Sequence, residues 1–292
     1  MGQAPIHAGS MASTMALSPV YEDAALRVVR AVPPQAVPGE LIVVFGCGSL
    51  AVRHQHHLEF IGDLARIGHP VIYVIDKTMS FYARPGMIDR IVELIRLEMA
   101  LFGASAITTI GQSLGAFGAV AFAERLPVRF ALAMAPRFSP DSGVVRDLRY
   151  VANLKPFLGR FPFATLESGL TSLESGAVLH GLAGPDLRHL VKINPPAHVD
   201  HWLLPGCSHG VPIWLRQKGQ LVALLAAAAK ADRQAVTKIM NSLHAIRPTD
   251  FGARRRIWPG WVAETIKIYV PSRLQNQLAR WTGQFAQEGT RP

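Results

Sequence analysis

The chain has 292 residues, 49% of them hydrophobic, and is long enough to bury one large core. A charged fraction of 17% and a mean hydropathy of +0.21 exclude an intrinsically disordered chain, and the longest apolar run, Leu221–Ala229, is far shorter than the roughly 20 residues that a membrane-spanning helix needs. The net charge of +10 is uneven, because residues 231–292 hold ten Lys and Arg against four Asp and Glu.

The first 40 residues are rich in Ala, Pro and Ser and predict a flexible N-terminal leader with one short helix near Tyr21–Arg30. Residues 1–20 contain no Lys or Arg and no apolar segment of secretory length, so no signal peptide is predicted. The two cysteines, Cys47 and Cys207, cannot build a disulfide framework. We therefore expect a cytoplasmic protein, with peripheral membrane attachment as the alternative.

Residues 41–230 alternate between two kinds of hydrophobic pattern. Short, mostly apolar runs predict buried strands at Leu41–Phe45, Val71–Ile75, Ile107–Ile110, Phe130–Met134, Ala177–Leu182 and Val199–Leu204. Apolar residues at helical spacing predict helices at Leu50–Ile67, Met87–Leu101, Leu114–Glu124 and Val211–Lys230. This alternation predicts a doubly wound, mostly parallel α/β sheet, in which ligands bind at the carboxyl ends of the strands.

Two segments fall outside this alternation. Residues 139–176 separate the fourth and fifth predicted strands and are interpreted as a lid-like insertion. Residues 231–292 predict a basic, helical C-terminal extension that holds Trp258, Trp261 and Trp281. This extension predicts contact with an anionic membrane surface, a polyanion or a polysaccharide; the alternative is an appendage packed on the core. No motif for specific nucleic-acid binding is found.

The stretch "ITTIGQSLGAFGA" joins a predicted strand to a small-residue helix. It contains Gly-x-Ser-x-Gly, with Ser113 between Gly111 and Gly115. At such a junction the pattern predicts a nucleophile elbow, a sharp turn that exposes the serine hydroxyl above the sheet. The glycines are needed because larger side chains would collide with adjacent strands and with the following helix. The Leu114 amide, at the start of that helix, is a candidate oxyanion-hole donor.

With this elbow, residues 41–230 resemble the α/β-hydrolase superfamily, which orders its catalytic residues as nucleophile, acid and histidine. The resemblance implies that the histidine is His209, in "GCSHG" after the last predicted strand. It implies that the acid is Asp186, in the Gly-Pro turn after the preceding strand. Asp141, after the fourth predicted strand, is the alternative acid, and a helix cap is the alternative role for Asp186.

In this family the second oxyanion donor comes from the loop after the first core strand, which implies the Cys47 amide here. The sequence "FGCGS" in that loop departs from the HGGG form of many lipases and esterases.

Near it, "HQHHLE" places His56 one helical turn before Glu59, but this pair is not a complete ligand set, and we predict neither a metal nor a cofactor.

The resemblance implies a serine esterase, thioesterase or acyltransferase acting on a small or carbohydrate-linked acyl group. The segments "SFYARPGM" and "APRFSPD" are also similar to bacterial hydrolase-like proteins associated with surface polysaccharides. The alternative hypothesis is a non-catalytic protein of this fold that binds a polysaccharide, a membrane surface or a protein partner. The order Ser113, Asp186, His209 favours the enzyme, whereas the unusual "FGCGS" loop and the basic extension favour the binding protein.

Overall fold

A computed structural model describes residues 15–47, 58–147, 149, 151–184, 186–250 and 257. In this part of the chain an eight-stranded sheet has the spatial order β1-β2-β4-β3-β5-β6-β7-β8. Its strands are β1 (Ala16–Glu22), β2 (Leu26–Val32), β3 (Ile42–Cys47), β4 (Val71–Asp76), β5 (Ile107–Gln112), β6 (Val128–Met134), β7 (Gly176–Gly181) and β8 (Val199–Leu204).

Strands β3 to β8 are parallel to one another, as their mostly apolar sequences predict. Every residue of β4, β7 and β8 is buried. A strand is buried on both sides only when helices cover both faces of its sheet. The side chains on both sides of such a strand are therefore mostly apolar. The predicted doubly wound α/β architecture is therefore confirmed for this core.

The helices divide between the two faces of the sheet. Their bounds are α1 (Ile61–Leu64), α2 (Met87–Phe102), α3 (Leu114–Ala121), α4 (Val151–Leu154), α5 (Glu167–Ser172), α6 (Leu187–Leu190), α7 (Val211–Gln217), α8 (Leu221–Ala229) and α9 (Arg233–Ser242). Residues of α2, α3 and α5 join one core cluster, and residues of α1, α7, α8 and α9 join another on the opposite face.

The flexible leader predicted for residues 1–40 is wrong where the structure describes a sheet. Residues 16–32 form β1 and β2, which pair antiparallel with each other, and β2 pairs antiparallel with β4. The turn between them is closed by Asp23, whose Oδ1 accepts the Ala25 and Leu26 amides at 2.7 Å each. This local turn and the burial of Val28 and Val29 stabilise two strands where a short helix was predicted.

Two predicted helices also differ from the structure. The closing helix predicted at Val211–Lys230 is two helices, because Gly219 adopts a positive φ of 68° and ends α7 before α8 begins. Of the helix predicted at Leu50–Ile67, the structure describes a helix only at Ile61–Leu64, and residues 50–57 lie outside the described residues.

The predicted C-terminal extension begins with a helix that packs on the sheet. Val236 and Met240 of α9 are fully buried in the core cluster beside α8, and Ile246 forms an antiparallel bridge with Leu203 of β8. Apart from Ile257, residues 251–292, including the three tryptophans, lie outside the described part of the chain. Each helix in the described ranges is too short or too polar to cross a bilayer.

Candidate active site

The elbow around Ser113 is strained in the way that its sequence predicts. Ser113 joins β5 to α3 with φ 57° and ψ −116°, a conformation that costs about 1–3 kcal/mol in a residue other than glycine. A Cβ atom at Gly111 would overlap the backbone of Gly115, and a Cβ at Gly115 would overlap the carbonyl oxygen of Phe45 in β3. Both glycines are therefore required by close backbone packing.

His209 and Asp186 come together above the carboxyl ends of neighbouring strands. Asp186 follows β7, and His209 follows β8 and precedes α7. The His209 Nδ1 atom lies 2.6 Å from Asp186 Oδ2. The carboxyl group of Asp186 is 1% exposed, whereas the imidazole of His209 is 34% exposed. A buried acid thus holds a histidine whose ring still reaches the surface.

The charge on Asp186 determines which nitrogen of His209 carries the proton. Burial alone would raise the pKa of Asp186, but the hydrogen bond from His209 and the nearby positive groups, Arg149 among them, lower it to about 2. Asp186 is therefore an ionised acceptor at neutral pH, so the proton between the two groups lies on Nδ1. The Nε2 atom of a neutral His209 is then free to accept a proton.

The two candidate acids, Asp186 and Asp141, make different side-chain contacts. Asp186 is at the N-cap position of α6, but its side chain makes no capping hydrogen bond. Asp141 instead stabilises the insertion, accepting the Gly143 amide at 2.8 Å through Oδ1 and the Gly159 amide at 2.9 Å through Oδ2. The geometry therefore favours Asp186 over Asp141 as the partner of His209.

Gln112 links the serine elbow to the histidine loop. Its Nε2 donates a hydrogen bond to the carbonyl oxygen of His209 at 3.1 Å. The residue before Ser113 is thus bound to the residue that carries the imidazole. The described residues Ser113 and His209 are not joined by a hydrogen bond, and the hydrogen bond between a catalytic serine and its histidine often tightens only in the substrate complex.

The oxyanion donors predicted from the sequence lie on elements next to the elbow. Leu114 is the first residue of α3, so its amide has no acceptor within the helix. Cys47 is the last residue of β3, and β3 pairs with β5 so that Phe45 is opposite Gly111. The use of the Cys47 amide remains a prediction, because the loop at residues 48–57 lies outside the described residues.

Cys207 is a second nucleophile type near His209, but its environment disfavours the thiolate. The side chain is buried, and its Sγ donates to the carbonyl oxygen of Ser208 at 3.2 Å. Burial, with a further contribution from the charge of Asp186, raises the pKa of the thiol to about 11. We therefore assign Cys207 a packing role. The described residues contain no group of three or more His, Cys, Asp or Glu that could hold a metal ion.

A network of charges that the sequence analysis did not predict adjoins Asp186. Arg149, in the 139–176 insertion, contacts Asp186 Oδ1 at 3.0 Å and also pairs with Asp147 at 2.6 Å. Asp147 in turn contacts Arg137, which is almost fully buried, at 3.3 Å. No periodicity in the insertion predicts these contacts, because Arg149 and Asp186 are 37 residues apart.

Two buried histidines form a pair near the acid: His180 on β7 interacts with Asp186, and His201 on β8 contacts His180. His180 Nε2 is 2.9 Å from the carbonyl oxygen of Pro136, which can only accept, so Nε2 carries the proton. His180 Nδ1, 3.1 Å from His201 Nε2, is then the acceptor, and His201 is the donor. These donor and acceptor roles apply to neutral rings, and burial disfavours the charged form of both rings. Burial lowers the pKa of His180 to about 4 and lowers that of His201 as well.

No family model matches this sequence, and no curated protein is detectably similar to it. Solved structures do share its architecture. A double mutant of the esterase E40 superposes with a TM-score of 0.54 at 15% identity, covering 78% of this chain and 88% of that one. The Pyrococcus furiosus esterase Pf2001 has a TM-score of 0.51 at 13% identity, covering 75% and 91%.

A Staphylococcus aureus fluorophosphonate-binding serine hydrolase, FphF, has a TM-score of 0.50 at 13% identity, covering 73% of this chain and 99% of its own. Identities this low establish the fold, and the activities in these names belong to the proteins that carry them. The chain has the α/β-hydrolase fold expected from the Gly-x-Ser-x-Gly elbow and the order of its strands.

Proposed function

We propose that this chain of α/β-hydrolase fold is a serine hydrolase that cleaves an acyl ester or thioester. The observation that carries the proposal is the 2.6 Å contact between His209 and Asp186, joined through Gln112 to a strained elbow at Ser113. The names of the solved structures with this fold, two esterases and a serine hydrolase, support the same reaction class.

In the proposed reaction, Ser113 Oγ attacks the acyl carbonyl carbon while His209 Nε2 takes the hydroxyl proton. The carbonyl electron pair moves to the oxygen, which the Leu114 and Cys47 amides stabilise. The tetrahedral adduct collapses to an acyl-enzyme, and His209 returns the proton to the departing alcohol or thiol. Water, activated by His209, releases the acid by the same steps; an alcohol acceptor in place of water would make the protein an acyltransferase.

The test is covalent labelling of the full-length protein by a fluorophosphonate probe, together with hydrolysis of p-nitrophenyl esters of increasing chain length. Ser113→Ala should abolish labelling and lower hydrolysis at least about 10³-fold, because the acyl-enzyme can no longer form. The matched control is Ser208→Ala, which removes an exposed serine hydroxyl beside His209 and should leave both rates within about threefold of wild type.

Equal labelling of wild type and Ser113→Ala would contradict the role of Ser113. A folded wild-type protein that resists labelling and is inactive on the whole ester panel would contradict the proposal itself. That second outcome would favour the other hypothesis from the sequence, a non-catalytic protein of this fold that binds a polymer, a membrane surface or a partner.

A further inference from the structure

The two carboxylate oxygens of Asp186 have different partners. Oδ2 faces His209 Nδ1 at 2.6 Å, and Oδ1 faces Arg149 Nη2 at 3.0 Å. Rotation about the terminal side-chain torsion of an aspartate is broad and weakly restricted. A carboxylate held at one oxygen can therefore turn away from its histidine, whereas contacts at both oxygens fix its plane.

Arg149 is itself held in place by the insertion. Its Nε lies 3.1 and 3.0 Å from the two oxygens of Asp147, and its Nη2 lies 2.6 Å from Oδ2. This planar fork fixes the direction of the guanidinium, which a lysine ammonium could not reproduce. The side chain of Arg149 is 26% exposed, so the contact with Asp186 is partly shielded from water.

Asp147 is anchored in turn to the helix that begins beside Asp186. His189 of α6 accepts the Phe138 amide at Nδ1, at 3.1 Å, so its proton is on Nε2. That Nε2 donates to Asp147 Oδ2 at 2.9 Å. The insertion therefore contacts this segment twice, once through Arg149 at the acid and once through Asp147 at His189.

The electrostatic field at His209 also depends on Arg149. In the described residues, the titratable and charged groups that act on Asp186 include His209 from the loop before α7, Arg149 from the insertion, His180 from β7 and Cys207 from the loop after β8, and Asp147 shares the guanidinium of Arg149. At neutral pH the two buried groups, His180 and Cys207, are uncharged. Of these groups in the described residues, Arg149 carries a permanent positive charge that offsets Asp186.

We propose that Arg149 is a positioning residue for the catalytic pair. It holds the carboxylate of Asp186 so that Oδ2 faces His209, and its charge limits how strongly Asp186 stabilises the protonated imidazole. This inference rests on the proposed function and deepens it, because it makes proton transfer at His209 depend on the folded insertion.

The test measures the rate of fluorophosphonate labelling from pH 5 to pH 9 in wild type, Arg149→Met and Arg149→Lys. Arg149→Met should lower the plateau rate about 10- to 100-fold, because Asp186 is no longer held in its plane. It should also move the acid limb of the profile to higher pH, because protonated His209 loses a neighbouring repulsion and gains an unshared carboxylate. Arg149→Lys should keep the acid limb near that of wild type but retain a lowered plateau.

The matched control is Arg129→Met. Arg129 pairs with Glu40 and is similarly exposed at 31%. It lies at the amino end of β6, whereas Ser113 follows the carboxyl end of the neighbouring strand β5. This control should reproduce the wild-type plateau and acid limb. Thermal unfolding of each variant checks that it is folded. If Arg149→Met is unfolded, the plateau labelling rate of Arg149→Lys is compared with that of wild type instead, and a lowered rate is expected.

A folded Arg149→Met whose plateau and acid limb match wild type within twofold would overturn the inference, as would equal losses in Arg149→Met and Arg129→Met. If folded wild type is neither labelled nor active on the ester panel, the proposed function fails, and NMR titration of the His209 ring decides this inference separately. A midpoint at higher pH in Arg149→Met supports it, and an unchanged midpoint overturns it.

Discussion

Asp186 and Asp141 are chemically identical side chains with opposite surroundings. The carboxylate of Asp186 is buried against His209 and Arg149, whereas that of Asp141 accepts two backbone amides within the insertion. Only the first arrangement orients an imidazole and offsets its charge when it is protonated.

We therefore expect Asp186→Asn and Asp141→Asn to differ in their effect on fluorophosphonate labelling. Asp186→Asn should slow labelling about 10⁴-fold, because an amide no longer fixes the proton on Nδ1 of His209. Asp141→Asn should stay within threefold of the wild-type rate while losing about 1 kcal/mol of stability, since one backbone amide loses its charged acceptor. The reverse pattern would identify Asp141 as the acid.

How far single residues could be predicted depends on how local their surroundings are. Ser113, Asp186 and His209 each follow the end of a strand, so the strand pattern, together with the residue order of the α/β-hydrolase family, was enough to propose them as candidates. Arg149 could not be selected, because its partner Asp186 meets it only after the insertion folds back over the edge of the sheet. The contact of Gln112 with His209 could not be predicted for the same reason, because the two residues are 97 positions apart in the chain.

Among the elements, the six parallel strands were the easiest to predict, since burial on both faces leaves them mostly apolar. The hairpin of β1 and β2 was missed because β2 has intermediate positions between buried ones. The Asp23 turn was the available signal, since a short acidic side chain often accepts the amide two residues on.

The loop after β4 has an unusual backbone conformation and a packing role. Met79, Phe81 and Tyr82 all have positive φ values, held by Asp76, which accepts from Ser80 Oγ at 3.0 Å and from the Tyr82 amide at 3.1 Å. Phe81 packs edge-on against Phe117 of α3 at 5.3 Å. Part of the "SFYARPGM" segment, noted earlier for a resemblance to polysaccharide-associated proteins, thus supports the elbow helix.

The packing of α3 on β3 gives a prediction at the element scale. Gly115→Ala should reduce the free energy of unfolding by about 2–3 kcal/mol, because its methyl group must displace the backbone of β3 at Phe45. Gly62→Ala is the control, since no atom lies within 4 Å of the added carbon and α1 should gain up to about 1 kcal/mol. Urea midpoints measure both, and equal midpoints would contradict the close packing of the elbow.

At the scale of the whole molecule, the buried histidine pair makes stability depend on pH. The folded-state pKa of His180 is lowered to about 4 and that of His201 is also lowered, both below the unfolded value of 6.5. Between those values the unfolded chain binds more protons, so stability falls as pH falls. Glu59 acts in the opposite direction, since burial raises its pKa to about 7 and favours the folded state at lower pH.

The variant His201→Gln isolates the histidine contribution. Between pH 7 and pH 5 the wild type should lose about 2 kcal/mol more unfolding free energy than His201→Gln, because one buried, neutral imidazole no longer resists protonation. Urea unfolding at both pH values measures the difference. Identical losses in the two proteins would show that His201 binds a proton in the folded state as readily as in the unfolded one.

The proline in β1 has a consequence for behaviour at high concentration. Among the described strands β1 is the outermost on one side of the sheet, and its pairing with β2 shifts register between Pro19 and Tyr21. A proline has no amide hydrogen, and a bulge bends the backbone, so this margin lacks a regular row of donors. An extended segment from another molecule therefore finds no continuous template there, which protects the folded protein against fibre growth from that side.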